Sequence, residues 1–328
     1  MKIGIVGATG LVGQRFLKLL SPFHRQIQEI RLFARSKKDC DFNNQKIETQ
    51  ILKEKCFEGL DVCFFSAGKE VSSQWGPQAE KEKVIVIDNS SAFRRDPDKL
   101  LIVPEVNGDL LNNHPQIISN PNCSTIQLVL ALHPLQEKFG LEEVRVVSLQ
   151  SISGAGSKAL NTLKEGSLSI LAAKTKYEED KMETPFNCVP YIGSILENGF
   201  CEEEAKIIFE SKKILRNPDL KISAFTVRVP TLNSHGEVLW FSLKKPPSSI
   251  KDIEEALSPY VKVHSFEDGQ EPPHGRQASG KADVFVGRVH QDGISKKSWV
   301  LWLVADNLLK GASLNGFQIA QKIFKIEK

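Results

Sequence analysis

The seven residues Gly7-Ala8-Thr9-Gly10-Leu11-Val12-Gly13, directly after Lys2-Ile3-Gly4-Ile5-Val6, restrict this chain more than any other stretch. The order is a short apolar strand, a glycine turn, and a helix Leu11–Leu20 with Val12, Phe16 and Leu19 along one face. A strand that feeds a helix this way belongs to a parallel α/β sheet, because the chain must cross back before the next strand. Gly7 permits the tight turn, Gly10 lets backbone approach a pyrophosphate, and Gly13 lets the helix pack close to the strand. The spacing is GxxGxxG and not the commoner GxGxxG. Its strand–turn–helix context favours dinucleotide binding over a glycine-rich turn without a ligand.

The rhythm then repeats. A strand over 30–34 runs into Arg35-Ser36-Lys37-Lys38, where an NAD site would place an acidic residue for the ribose hydroxyl. Cations and a hydroxyl suit a 2′-phosphate instead, so the pattern favours NADP. A strand over 61–65 ends in Ser66-Ala67-Gly68, a helix follows over about 71–82, and a strand over 84–87 ends in Asp88-Asn89-Ser90-Ser91. Small polar residues at the carboxyl ends of strands are what a ligand-holding parallel sheet needs. The loop 92–97 carries Arg94 and Arg95 and reads either as a surface turn or as an anion clamp.

A cysteine stands at the next strand-to-helix handover, Ser119-Asn120-Pro121-Asn122-Cys123-Ser124-Thr125. Asn120-Pro121 excludes helix before Asn122, and Asn122 or Ser124 can cap the helix beyond. Cys123 then lies in the first turn, where unpaired N–H groups and the positive end of the macrodipole favour a thiolate. The alternative is a turn plus a buried thiol.

From about residue 141 the pattern changes to long strands over 144–149, 222–229, 237–243, 282–289 and 299–304 with few crossovers. That predicts a mixed or largely antiparallel sheet covered by helices, an α+β domain beside the Rossmann-type one. At 328 residues two domains are expected. The loop Gln150-Ser151-Ile152-Ser153-Gly154-Ala155-Gly156 could let a cofactor ring lie close to backbone. In the helix beginning Glu202-Glu203-Glu204-Ala205-Lys206, the apolar stripe is expected at Ala205, Ile208 and Phe209, with Glu203 and Lys206 sharing a face. Arg228 on its strand and His235 in the loop beyond Pro230 could grip an acidic substrate and move its proton. The last helix, to about Phe324, is expected to pack back on the first domain, with Asn307 near the crossover.

The composition excludes several classes. A net charge of +3 with no Lys/Arg run longer than a pair gives no footprint for nucleic acid. Six cysteines without a CxxC read as reduced thiols, and no metal site is expected. Neither a signal-peptide pattern nor a membrane-length apolar run is present, so a soluble, cytoplasmic protein is expected.

Taken in order, the motifs resemble the aspartate-β-semialdehyde dehydrogenase family over nearly the whole chain. They are GATGLVG at the start, FSAG at 65–68, DNSSAFR at 88–94, VPEVN at 103–107 and NPNCST at 120–125. QSISGAG at 150–156, EEEAK at 202–206, VRVPTLNSHGE at 227–237, VGR at 286–288 and DNLLKG at 306–311 complete the set. The resemblance implies a nucleophile at Cys123, an acid/base at His235 and an acyl-orienting residue at Gln150. It further implies that Arg228 binds the substrate carboxylate and Glu203 its amino group, with Arg94, Asn122 and Lys206 binding phosphate. NADP would lie against Gly7, Thr9, Gly10, Leu11, Val12, Arg35, Ser36, Ser66, Ala67, Gly68, Asn89, Ser153, Gly154, Gly156 and Asn307. A Rossmann domain of 1–122 plus 308–328, a catalytic and dimerisation domain of 123–307, and a homodimer or homotetramer follow from the same likeness. So does a place in lysine, methionine and threonine biosynthesis. The nearest rival is N-acetyl-γ-glutamyl-phosphate reductase, whose neutral acetylated nitrogen has no use for Glu203. A glyceraldehyde-phosphate-type enzyme and a non-catalytic NADP-binding regulator are more distant.

Overall fold

The computed structural model describes residues 1–113, 115–173 and 184–326; residues 114, 174–183 and 327–328, which the expected domains take in, lie outside the described residues. Contacts divide the chain into two compact units, 1–122 with 311 onward, and 123–310.

The first unit begins with β1 (Lys2–Val6) and β2 (Glu29–Phe33). A small hairpin of β3 (Asp39–Phe42) and β4 (Gln45–Glu48) stands apart, and β5 (Val62–Phe65), β6 (Ile85–Asp88), β7 (Leu100–Leu101) and β8 (Ile117–Ser119) follow. The main sheet has the order β2-β1-β5-β6-β8-β7 and every pair in it is parallel. Parallel sheets are covered on both faces, which is why β5 reads Val62-Cys63-Phe64-Phe65 without a polar position. Val62 and Phe64 join a core layer with Phe16, Leu20 and Phe317, while Cys63 and Phe65 join a second with Phe57 and Ala79. Phe16 stacks on Phe64 at 4.4 Å between ring centroids. The last helix, Leu314–Phe324, belongs to this unit, with Phe317 5.1 Å from Phe23 and Gly316 under Phe16.

The second unit holds β9 (Leu141–Gln150), β10 (Lys221–Arg228), β11 (His235–Leu243), β12 (Lys262–His264), β13 (Phe285–Gln291) and β14 (Ser298–Ala305). Their order is β10-β9-β11-β14-β13-β12, with three antiparallel pairs inside and a parallel pair at each edge. The helix Cys123–Phe139 lies against β9, β11 and β14 and is buried along most of its length. That explains its weak amphipathicity: a helix covered on several sides needs no polar face.

Two expectations are corrected here. The sequence pattern predicts a strand from Glu237 with His235 in the loop before it, but β11 starts at His235, so two-residue alternation sets both side chains on one face. The buried stripe of the helix Glu202–Ile214 is Glu203, Ile207, Glu210 and Ile214, not Ala205, Ile208 and Phe209. Acidic residues occupy the inner face because they have partners there. Glu204 accepts from the Cys201 N–H at 2.8 Å and from the Thr226 N–H at 2.9 Å, capping its own helix and fastening it to β10.

Candidate active site

In the second unit the side chains of interest converge where β9 and β10 end and β11 begins. Cys123 is the first residue of its helix, half-buried, with Ser124 beside it fully buried. Gln150 closes β9 and donates from Nε2 to Ser124 Oγ at 2.8 Å. Arg228 stands opposite Gln150 in the parallel register and donates from Nη1 to the Ser151 carbonyl at 2.7 Å. Burial lowers the proton affinity of the guanidinium, and the charges of Cys123 and Glu203 oppose that shift. On the neighbouring helix Glu203 is buried and accepts from Lys206 Nζ at 3.2 Å.

His235 is fully buried, and its ring is fixed from one side. The Ser151 backbone N–H donates to Nδ1 at 3.1 Å, and the Ser151 hydroxyl lies at the same distance. A backbone N–H has no alternative role, so Nδ1 must be the acceptor and the neutral ring carries its proton on Nε2. Burial first, and the Arg228 charge second, bring the imidazole down to about 3, so it is neutral at physiological pH. Nε2 has no hydrogen-bond partner among the described residues. It faces Gly154, where a Cβ would come within 3.4 Å of Nε2 and 3.2 Å of Arg228 Nη1. The lack of a side chain on Gly154 leaves the Nε2 donor and the Arg228 cation beside each other with no Cβ against them.

The loop after β9 is tied down by a buried amide. Asn307 Oδ1 accepts from the Ser234 N–H at 3.0 Å, from Ser153 Oγ at 3.0 Å and from Ser151 Oγ at 3.2 Å. Its side chain is therefore committed to the residues that hold His235. Gly156 closes the loop at φ +88°.

The first unit carries the cofactor-type features. Gly7 sits at φ +86°, its N–H and that of Ala8 both donate to the Phe33 carbonyl, and a Cβ on it would lie 2.5 Å from the Ser66 carbonyl oxygen. The glycine turn and the Ser66-Ala67-Gly68 loop thus lie directly against each other. A Cβ on Gly13 would come 2.2 Å from the Gly7 oxygen. The helix Leu11–Leu20 has Gly10 at its N-cap and no side chain capping it, so the N–H groups around Thr9, Leu11 and Val12 are left for an anion. That fits a dinucleotide pyrophosphate. Arg35 and Ser36 are exposed beyond β2, whereas Lys37 is paired with Glu48 at 2.8 Å. At the end of β6, Asn89 Nδ2 donates to the Phe65 carbonyl, and Arg94 Nη2 donates to the Asn89 carbonyl at 2.8 Å. Asn122 is buried at the end of this unit, adjoining Cys123 in the chain.

Residues that the sequence reading gave no site role also appear here: Ser124, Ser148, Ser151 and Glu237. The signal for Glu237 was its two-residue spacing from His235. No group of three His, Cys, Asp or Glu side chains that could hold a metal ion occurs among the described residues, and no helix there is long and apolar enough to cross a membrane.

Residues 2–114 match the family model described as semialdehyde dehydrogenase, NAD binding domain, and residues 132–310 the one described as semialdehyde dehydrogenase, dimerisation domain. Aspartate-semialdehyde dehydrogenase of Bacillus subtilis is 38% identical over 340 aligned residues, covering 99% of this chain and 98% of the relative. The crystal structure of aspartate semialdehyde dehydrogenase II from Vibrio cholerae complexed with ASA superposes with a TM-score of 0.92 at 34% identity, covering 100% and 99% of the two chains. That of aspartate semialdehyde dehydrogenase with NADP from Candida albicans gives 0.75 at 26% identity, covering 99% and 98%. This chain accordingly belongs to the aspartate-semialdehyde dehydrogenase family, oxidoreductases of amino-acid biosynthesis with an N-terminal nicotinamide-dinucleotide-binding domain.

Proposed function

We propose that the chain converts L-aspartyl-4-phosphate and NADPH to L-aspartate-4-semialdehyde, NADP and inorganic phosphate through a thioester on Cys123. The observation that carries the reading is a cysteine at a helix start in the same unit as a buried imidazole whose Nε2 is a donor without a hydrogen-bond partner among the described residues. The Cys123 thiolate forms a bond to the acyl carbon, and the bond from that carbon to the phosphate oxygen breaks. NADPH, when bound, supplies the hydride that reduces the acyl carbon. With Nδ1 committed as an acceptor, the neutral His235 acts by donating its Nε2–H as a hydrogen bond to the oxygen of that carbon as charge gathers there, and that bond loosens as the carbonyl re-forms and the sulfur leaves. Arg228 grips the substrate carboxylate as a planar fork, a free α-ammonium group pairs with Glu203, and Arg94, Asn122 and Lys206 serve the phosphate. Gln150 orients the acyl group.

The cofactor preference for NADP rests on Arg35 and Ser36, exposed where a ribose-binding carboxylate would stand. A homodimer or homotetramer is supported by the outward face of the second sheet. Phe225 is 51% exposed there, with Val147 and Trp240 half-covered beside it. Sedimentation as a monomer at micromolar concentration would remove that part of the reading. We place the reaction in lysine, methionine and threonine biosynthesis, in the cytoplasm.

The test is phosphate-dependent reduction of NADP with aspartate semialdehyde, run beside NAD and beside the N-acetylated glutamate semialdehyde. Turnover with the free amino acid and NADP is expected. Preference for the acetylated substrate would overturn the assignment of Glu203 and the substrate with it.

A further inference from the structure

Glu237 is a carboxyl group with no exposure, two residues from His235 and on the same face of β11. It stands opposite Ser148 in the antiparallel register with β9, and Ser148 Oγ donates to its Oε1 at 3.2 Å. Ser148 Oγ lies 3.2 Å from Ser124 Oγ, which in turn receives Gln150 Nε2 at 2.8 Å. The direction of this chain is set at its Gln150 end. An amide N–H can only donate, so Ser124 keeps its own proton to pass inward, to Ser148 or to Glu237, and Ser148 Oγ donates to Glu237.

We propose that Glu237 is a positioning residue: it ends the buried hydrogen-bond chain through Ser148 and Ser124, accepting from Ser148, and so anchors the Gln150 amide that orients the acyl group. The inference rests on Gln150 being a site residue of the proposed reaction. The carboxyl is held neutral in this role. Ser124 and Gln127 on the helix Cys123–Phe139 and Ser148 on β9 face it, none of them charged, and burial raises its pKa to about 8. A neutral acid is matched in shape and hydrogen bonding by glutamine, which gives the proposal its signature.

The experiment is a cycle of Q150A, E237A and the double variant, with E237Q and S148A alongside, read as kcat and KM for aspartate semialdehyde in the phosphate-dependent assay. Misplacing an orienting group can cost about 10²-fold, so E237A and S148A should lower kcat by about ten- to a hundred-fold with KM little changed. E237Q should stay within about three-fold of the parent, and E237A should cost nothing further once Gln150 is gone. Full additivity of E237A with Q150A would overturn the proposal, as would an E237Q variant that melts like the parent yet loses as much kcat as E237A. Should E237A fail to fold, S148A breaks the same chain with the carboxyl in place, and additivity of S148A with Q150A would overturn the proposal equally. An unchanged kcat in Q150A alone would instead remove the role assigned to Gln150, and this inference with it.

Discussion

In the first unit β5 buries Val62, Cys63, Phe64 and Phe65 on both faces. In the second, β9 buries Val144, Val146, Ser148 and Gln150 on one face and turns Arg145, Val147 and Leu149 to the other. A parallel sheet covered on both sides has no room for chemistry along its strands, so its ligand contacts are confined to the loops at strand ends. The second sheet inverts the usual arrangement. Its covered face carries Ser148, Gln150, Thr226, His235 and Glu237, while Phe225 and Trp240 lie on the outer face. Polar groups inside are tolerated because each finds a neighbour: serines bridge the carboxyl, the amide and the imidazole. One unit offers backbone at its strand ends; the other offers side chains along its strands.

That division is broken most severely at the sulfur. Cys123→Ala should lower phosphate-dependent turnover by on the order of 10⁴ or more, the scale seen for loss of a nucleophile, with NADP affinity unchanged by fluorescence titration. Substantial residual turnover would mean no covalent step. His235→Ala comes next, at on the order of 10²–10⁴ in kcat. A rate within a factor of about two would strip His235 of any role at the reacting oxygen. The first unit should respond in the opposite sense. At Gly13 a Cβ would meet the Gly7 carbonyl at 2.2 Å, a backbone atom that cannot swing aside. Gly13→Ala should cost about 1–3 kcal/mol by urea unfolding and weaken NADP binding with kcat at saturation nearly intact. If kcat fell while affinity held, the split between a backbone unit and a side-chain unit would be wrong.

The two units also differ in how far their sequence announces them. The glycine turn is legible because its requirements are local: strand, turn and helix are contiguous, and Gly7 and Gly13 are demanded by atoms within one βα unit or the next strand end. In the second unit the partners are far apart in the chain. Gln150 and Arg228 meet only through the pairing of β9 with β10, and His235 is fixed by Ser151 across 84 positions. Periodicity placed Glu203 and Lys206 together but assigned the buried stripe to Ala205, Ile208 and Phe209. It cannot register that Glu204 has amide donors waiting on Cys201 and Thr226. His235 and Glu237 were separated by a strand boundary drawn two residues late, which hid that they share a face. Motif likeness recovered His235 but had nothing to say about Glu237.

The smallest effect is a pair of opposed pH dependences expected of the second unit's inner face. His235 is a base whose folded pKa falls from 6.5 to about 3, so its stabilising contribution is complete above 6.5 and is lost as pH drops toward 3. Glu237 is an acid raised from 4.5 to about 8, so its contribution is complete below 4.5 and is lost as pH climbs to about 8. The windows overlap between 4.5 and 6.5, where the slopes oppose each other. Above 6.5 the imidazole is mostly neutral in both states, and of the two only the carboxyl still titrates. One proton limits the slope to about 1.4 kcal/mol per pH unit. The Glu237→Gln variant should therefore gain on the parent by at most about 2 kcal/mol from pH 6.5 to about 8, and hold that margin at higher pH. Urea midpoints of the two proteins across this range measure it. Parallel curves would mean that Glu237 is already ionised in the folded chain, so that the inner face carries a buried charge and the serines are there to solvate it.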